Sequence, residues 1–182
     1  QFLNFYWITD GVTVGLTVSS TAPPTGPTLP SGYKAWAYAA PIAYASSTSL
    51  ASTHVSGPDI FWRTGQSLVT NGAATSFAAL SASASVPPNA TGFTVNAPYV
   101  GLLTPGAGGS AQGTIHWSLD GTLDYSTSVY QSLGVTTGML TPLADISFPN
   151  RNRTIYYYTQ VIVGSSPVVT LNVCRYRVSN GS

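Results

Sequence analysis

The chain contains no Glu and a single Lys, Lys34. Helices draw mainly on Ala, Leu, Glu, Lys, Arg, Gln and Met, so a mainly helical fold is all but excluded. The shortage extends to charge in general. Six basic and five acidic residues make up 6% of the chain, against about 25% in an ordinary domain. Disorder is not the alternative, because disordered chains are rich in charge and poor in aromatics, and aromatics here reach 12%. A β protein with a surface of Ser, Thr, Gly and Tyr is what remains. Its length of 182 residues suits one domain, or one domain with a small strand appendage.

A formal charge of +1 gives no electrostatic footprint for nucleic acid or an anionic membrane. No apolar run approaches the roughly 18 residues of a membrane helix, so membrane insertion is not expected. The single cysteine, Cys174, leaves no internal disulfide and no cysteine-based zinc site. It lies in an apolar run and reads as a buried thiol. The chain begins at Gln1 rather than Met, so a processed chain or a part of a longer polypeptide is expected.

Turn signals divide the chain into short strands. Asp10-Gly11 separates residues 2–9 from 12–19, and Asp-Gly between two β-rich runs predicts a hairpin. Val12, Val14, Leu16 and Val18 alternate, which gives the second strand one apolar face. Pro23, Pro24, Pro27 and Pro30 then exclude helix and inner strand, so residues 21–32 are expected to form an extended connector. A strand follows over 33–44, with Trp36 and Tyr38 on one parity. A polar loop is expected over 46–58, short strands over 59–64 and 66–70, and a weakly alternating stretch over 77–86. Asp120-Gly121 predicts a second hairpin between 114–119 and 122–130. Residues 134–149 read as irregular, 154–163 as the clearest core strand, and 168–178 as the last strand. Strands at this spacing predict an all-β fold, an antiparallel β-sandwich or jelly-roll-like barrel. The expected units are a hairpin over 1–20, the Pro-rich connector over 21–32 and a sandwich domain over 33–182.

The residues offer little for catalysis. The histidines are His54 and His116. His116, Ser118 and Asp120 share one strand, where residues two apart sit about 7 Å from each other, which is not a triad geometry. Carboxylate-pair hydrolysis needs two acids across a cleft. Of the five Asp, Asp10 and Asp120 are explained by their turns, leaving Asp59, Asp124 and Asp145. No phosphate-binding loop is present. Asp120 and Asp124 could contribute to a calcium site, but such sites want about six to eight oxygens, so the pair reads as a turn and no metal or cofactor is expected. A non-enzymatic protein is expected.

The aromatic residues are in surplus for one small core. Tyr156, Tyr157 and Tyr158 are consecutive, so they must point to alternate faces. Tyr and Trp suit interfaces and also stack on sugars. Candidate binding residues are Trp36, Tyr38, Trp62 and Tyr125, with Asp124 as an acceptor for sugar hydroxyls. Arg151 and Arg153 flank Asn152 before a strand, and Arg175 and Arg177 share a parity near the C-terminus. These are candidate contacts to an acidic glycan or a subunit partner.

Two motifs carry a resemblance. Thr28-Leu29-Pro30-Ser31-Gly32-Tyr33-Lys34 closes the Pro-rich segment, and Val86-Pro87-Pro88-Asn89-Ala90-Thr91 follows a Ser/Ala-rich stretch. In this order and spacing the chain resembles the β-rich C-terminal domains of tailed-bacteriophage fibre and related virion surface proteins, over most of residues 1–178. It departs from them at Ala39-Ala40-Pro41-Ile42-Ala43-Tyr44, where those domains continue into an Arg-Thr-Asx-Gly-like turn. The resemblance transfers no catalytic residues. It implies a structural role on the virion surface, outside the cell: a tail fibre, capsid fibre or decoration domain in host attachment. It also implies a homo-oligomer, with a trimer favoured, that contacts other virion proteins. The alternative is a carbohydrate-binding module that recognises host surface glycan.

Overall fold

The computed structural model describes residues 1–46, 49–101, 110–123, 126–133, 143–149, 152–163 and 168–179. Among these there is no helix, and all strand pairings are antiparallel. The fold is therefore all-β. Strands β1 (Phe2–Thr9), β2 (Val14–Ser19), β3 (Ala35–Ser46) and β4 (Ser49–Leu50) form one sheet in the order β2-β1-β3-β4. Strands β5 (Thr53–Ser56), β6 (Asp59–Gly72), β8 (Ala90–Gly101), β11 (Leu143–Pro149) and β13 (Val168–Val178) form a second, ordered β11-β8-β13-β6-β5. Strands β7 (Ala78–Ser81), β9 (Ser110–Ser118), β10 (Ser126–Leu133) and β12 (Thr154–Val163) form a third, ordered β10-β9-β12-β7.

The second and third sheets share the core. Ile115, Trp117, Ile155 and Tyr157 on one side join Ile60, Trp62, Phe93, Val95, Leu171, Val173 and Tyr176 on the other in a single buried cluster. Trp117 meets Phe148 across it with ring centroids 5.6 Å apart. The Tyr triplet follows the strand alternation: Tyr157 is buried, while Tyr156 and Tyr158 lie on the opposite face.

Both Asp-Gly turns form, each capped by its own aspartate. Asp10 Oδ1 accepts the amides of Val12 and Thr13 at 2.8 and 2.6 Å, with Gly11 at φ 100°. Asp120 Oδ1 accepts from Thr122 N, Thr122 Oγ1, Leu123 N and Ser118 Oγ, with Gly121 at φ 82°.

The sheets differ from the expected elements in several places. The polar loop expected over 46–58 carries β4 and β5. The two short strands expected over 59–70 are one bulged strand, β6, because β13 pairs along its whole length. The stretch 77–86 is a strand only over Ala78–Ser81. Beyond that it turns tightly, with Val86 N donating to Ala82 O at 2.8 Å. The expected irregular segment ends in β11, and residues 134–142 of it lie outside the described residues.

Sheet membership also places β3, expected with residues 33–182, beside the hairpin. It pairs with β1 from Phe2↔Ala43 to Thr9↔Ala35. The Pro-rich segment makes this possible by turning back over the hairpin. It contains neither strand nor helix. Its Thr21 carbonyl accepts from Tyr6 Oη at 2.6 Å. Gly26, at φ 74°, is buried directly against the Trp36 indole. The N-terminal sheet is tied to the core by Tyr176, whose hydroxyl donates to Pro41 O at 2.6 Å and whose ring meets Phe2 edge-on at 6.0 Å.

Candidate functional site

Three of the aromatic residues singled out as a sugar platform, Trp36, Tyr38 and Trp62, make contacts within the fold. Trp62 is 8% exposed, and its indole N–H donates to Ser85 O at 3.2 Å. Trp36 lies under Gly26 and packs edge-on against Tyr6 at 5.2 Å. Tyr38 donates to Asn4 Oδ1 at 3.0 Å and accepts from Asn89 Nδ2 at 2.8 Å. Burial pushes the Tyr38 phenol up to about 12, against the opposing pull of the Asn89 hydrogen bond. Trp62 is thus buried, while Trp36 and Tyr38 are half-buried and held by packing and hydrogen bonds. Tyr125, Asp124 and Arg151 lie outside the described residues. Arg153 is half-buried, and its guanidinium donates to Ser83 O and Val86 O at 3.4 and 3.3 Å, holding the turn before the Val-Pro-Pro motif.

The Ser118–Asp120 contact belongs to its turn. Ser118 Oγ donates to Asp120 at 3.0 Å and accepts Gly121 N at 2.9 Å. His116 stacks on Tyr158 at 4.3 Å, with its Nε2 within 2.9 Å of Thr114 Oγ1 and 3.2 Å of Gln160 Oε1. Turn amides hold the Asp120 carboxyl well below the usual carboxylate range. No group of three or more His, Cys, Asp or Glu that could hold a metal occurs among the described residues. Cys174 is half-buried rather than fully enclosed, with its thiol 3.4 Å from Thr94 O.

Two surface features stand out instead. The first is the face of the N-terminal sheet turned away from the connector. Cross-strand pairing sets Phe5 beside Val18, Trp7 beside Leu16 and Thr9 beside Val14. Trp7 is 52%, Leu16 53%, Val14 68% and Val18 44% exposed. Ala35 and Ala37 of β3 extend the same face, paired with Thr9 and Trp7 and exposed. The alternation of β2 was legible in the sequence, but its apolar side points to solvent. The inner side is Gly15, Thr17 and Ser19. β2 is also the outermost strand of its sheet. Its sequence, VGLTVS, has no Lys, Pro or acidic residue of the kind that blunts an edge.

The second feature is a hollow of about 370 Å³ on the outer face of the five-stranded sheet, lined by Asp59, Gly92, Thr94, Ser147, Arg175 and Arg177 among others. Arg177 grips Asp59 with two hydrogen bonds, Nε to Oδ1 at 3.0 Å and Nη2 to Oδ2 at 2.9 Å. Arg175 Nε stands 3.8 Å from the same carboxylate. The Arg177 hydrogen bond is the main cause that lowers the Asp59 carboxyl, with both guanidinium charges adding to it.

Comparison with protein-family models, with curated proteins and with solved structures finds no match.

Proposed function

We propose that this chain is a structural protein of the virion surface, a tail-fibre, capsid-fibre or decoration domain that works by assembly and binding without turnover. It is built as a jelly-roll-like β-sandwich, and it assembles with further copies of itself through the N-terminal sheet. The fibre-like motifs support the virion setting, and by the same resemblance the assembly is a trimer. The single observation that carries the assembly reading is the exposed apolar face of Trp7, Val14, Leu16 and Val18 beside an unblunted edge.

The size of the face points to a second copy. Taking large side chains at about 150–250 Å² each, the exposed fractions amount to on the order of 500 Å². That matches the largest patch of a typical monomer, roughly 300–600 Å² and often functional. Two copies meeting here cover about 1,000 Å², the lower bound of a specific interface. The face carries no charge, so copies can stack without burying an unpaired ion.

Sedimentation of the wild-type chain and of a Trp7→Ser/Leu16→Asp variant tests this. The wild type should be oligomeric at micromolar concentration and the variant monomeric, with unchanged far-UV circular dichroism. A monomeric wild type overturns the reading, and so does a variant that remains oligomeric.

A further inference from the structure

The hollow beside Arg175 lies along two rows of cross-strand partners that run across the five-stranded sheet, and takes its lining from the β11, β8 and β13 members and from Asp59. Ser147, Thr94, Arg175, Phe61 and His54 are successive cross-strand partners on β11, β8, β13, β6 and β5. Pro149, Gly92, Arg177, Asp59 and Ser56 form the next row. Gly92 has no side chain, which leaves a gap between Pro149 and Arg177. A Cβ there would come within 2.8 Å of Phe148 O. We infer that this hollow binds an acidic sugar, with its carboxylate against the Arg175 and Arg177 guanidinium groups and its hydroxyls on the surrounding Thr, Ser and Asp side chains.

Charge is the first support. Two guanidinium groups converge on one carboxylate, and Asp59 is the only acidic residue among the described ones lining the hollow. One positive charge is left over, in a chain whose whole formal charge is +1. Pre-organisation is the second. The Arg175 guanidinium rests over the Phe61 ring, 5.5 Å from its centroid. Its Nε and Nη2 donate to Thr94 Oγ1 at 3.3 and 3.0 Å, and Nη2 also reaches Ser147 Oγ at 3.4 Å. Its Nη1 has no hydrogen bond among the described residues. A guanidinium already fixed in place loses little freedom when it takes up an anion, and its planar fork suits a carboxylate.

The lining separates a sugar from a peptide. An acidic peptide would dock by adding a strand to an open edge or by filling apolar pockets. The hollow sits over β8 and β13, both paired on each side, and reaches the outermost strand β11 only at Ser147, Phe148 and Pro149, so the one backbone edge near it ends in a proline, which has no amide to donate. Hydroxyls and a carboxylate around the hollow provide the hydrogen-bond partners that a sugar ring needs. The volume lies at the small end of ligand sites, roughly 300–1,000 Å³. This site shares no residue with the assembly face, so either inference can fail without the other.

The test is an NMR titration of the full chain with methyl glucuronide, methyl glucoside and acetate. The glucuronide should shift the amides of residues 92–94 and 175–177. The glucoside, which lacks only the carboxylate charge, and acetate, which lacks the ring, should each bind at least about tenfold more weakly. Arg175→Gln should weaken glucuronide binding by at least about tenfold, with an amide spectrum showing that the variant remains folded. A Phe61→Ala variant, which removes the ring that supports Arg175, should weaken both the glucuronide and acetate. The inference is overturned if the glucuronide causes no shift, if the glucoside or acetate matches it, or if either folded variant binds it like the wild type.

Discussion

Gly26 gives the sharpest test of the packing that holds Trp36. Gly26→Ala introduces two separate costs. Its φ of 74° lies in the left-handed region, where an L-residue is disfavoured by about 1–2 kcal/mol. The new methyl group also overlaps the indole ring of Trp36 and stands 2.9 Å from its Nε1. That ring also packs edge-to-face with Tyr6, itself 0% exposed, which limits how far the indole can withdraw. Overpacking of this kind costs about 1–3 kcal/mol, which brings the expected loss to about 2–5 kcal/mol. Gly11→Ala is the internal control. Gly11 has φ 100° with nothing within 4 Å of the added carbon, so only the backbone part, about 1–2 kcal/mol, should appear. Urea unfolding followed by tryptophan fluorescence measures both, with equal m-values as the check that compactness is unchanged. If Gly26→Ala is no more destabilising than Gly11→Ala, the connector does not pack on Trp36 and the placement of that residue is wrong.

Two further outcomes follow from the hydrogen bonds. Tyr176→Phe removes the donor to the buried Pro41 carbonyl, and should cost about 1–3 kcal/mol in calorimetry while leaving secondary structure intact; a loss below about 0.3 kcal/mol would refute the tie between the N-terminal sheet and the core. Asp120 is held below its ordinary value of 3.8, first by the Thr122 and Leu123 amides. Its contribution is therefore complete above the unfolded value and is lost as pH falls toward the depressed folded one. Melting temperature between about pH 5 and pH 2 should fall more for the wild type than for Asp120→Asn, which has no carboxylate to titrate; parallel curves would show that the turn gains nothing from the charge.

What could be read from the sequence was what depends on near neighbours. An aspartate before glycine can cap its own turn within three residues, so both hairpin turns were visible. The alternation of Tyr156, Tyr157 and Tyr158 followed from strand geometry alone. The parity shared by Arg175 and Arg177 was equally plain, but their carboxylate, Asp59, is 118 residues from Arg177. The same distance problem hid the packing partners of the tryptophans. Trp36 is covered by Gly26 of the connector and Trp62 is bonded to Ser85. Neither partner is marked by any local pattern. The apolar stripe of β2 was legible as one face of a strand, but periodicity shows which residues share a side and says nothing about which side is covered. The second strand of a two-layer arrangement would bury it. Here the connector covers the polar side instead.

Hydrogen exchange of β2 at two protein concentrations tests the central claim, that this edge and face join one copy to the next. In an isolated chain the outward-facing amides of an edge strand are open to water and exchange fast. The expected result is protection of residues 14–19 at high concentration that is lost on dilution, while amides of β8 and β13 in the core sheet stay equally slow at both. Exchange across β2 that is fast and indifferent to concentration would contradict assembly through this sheet.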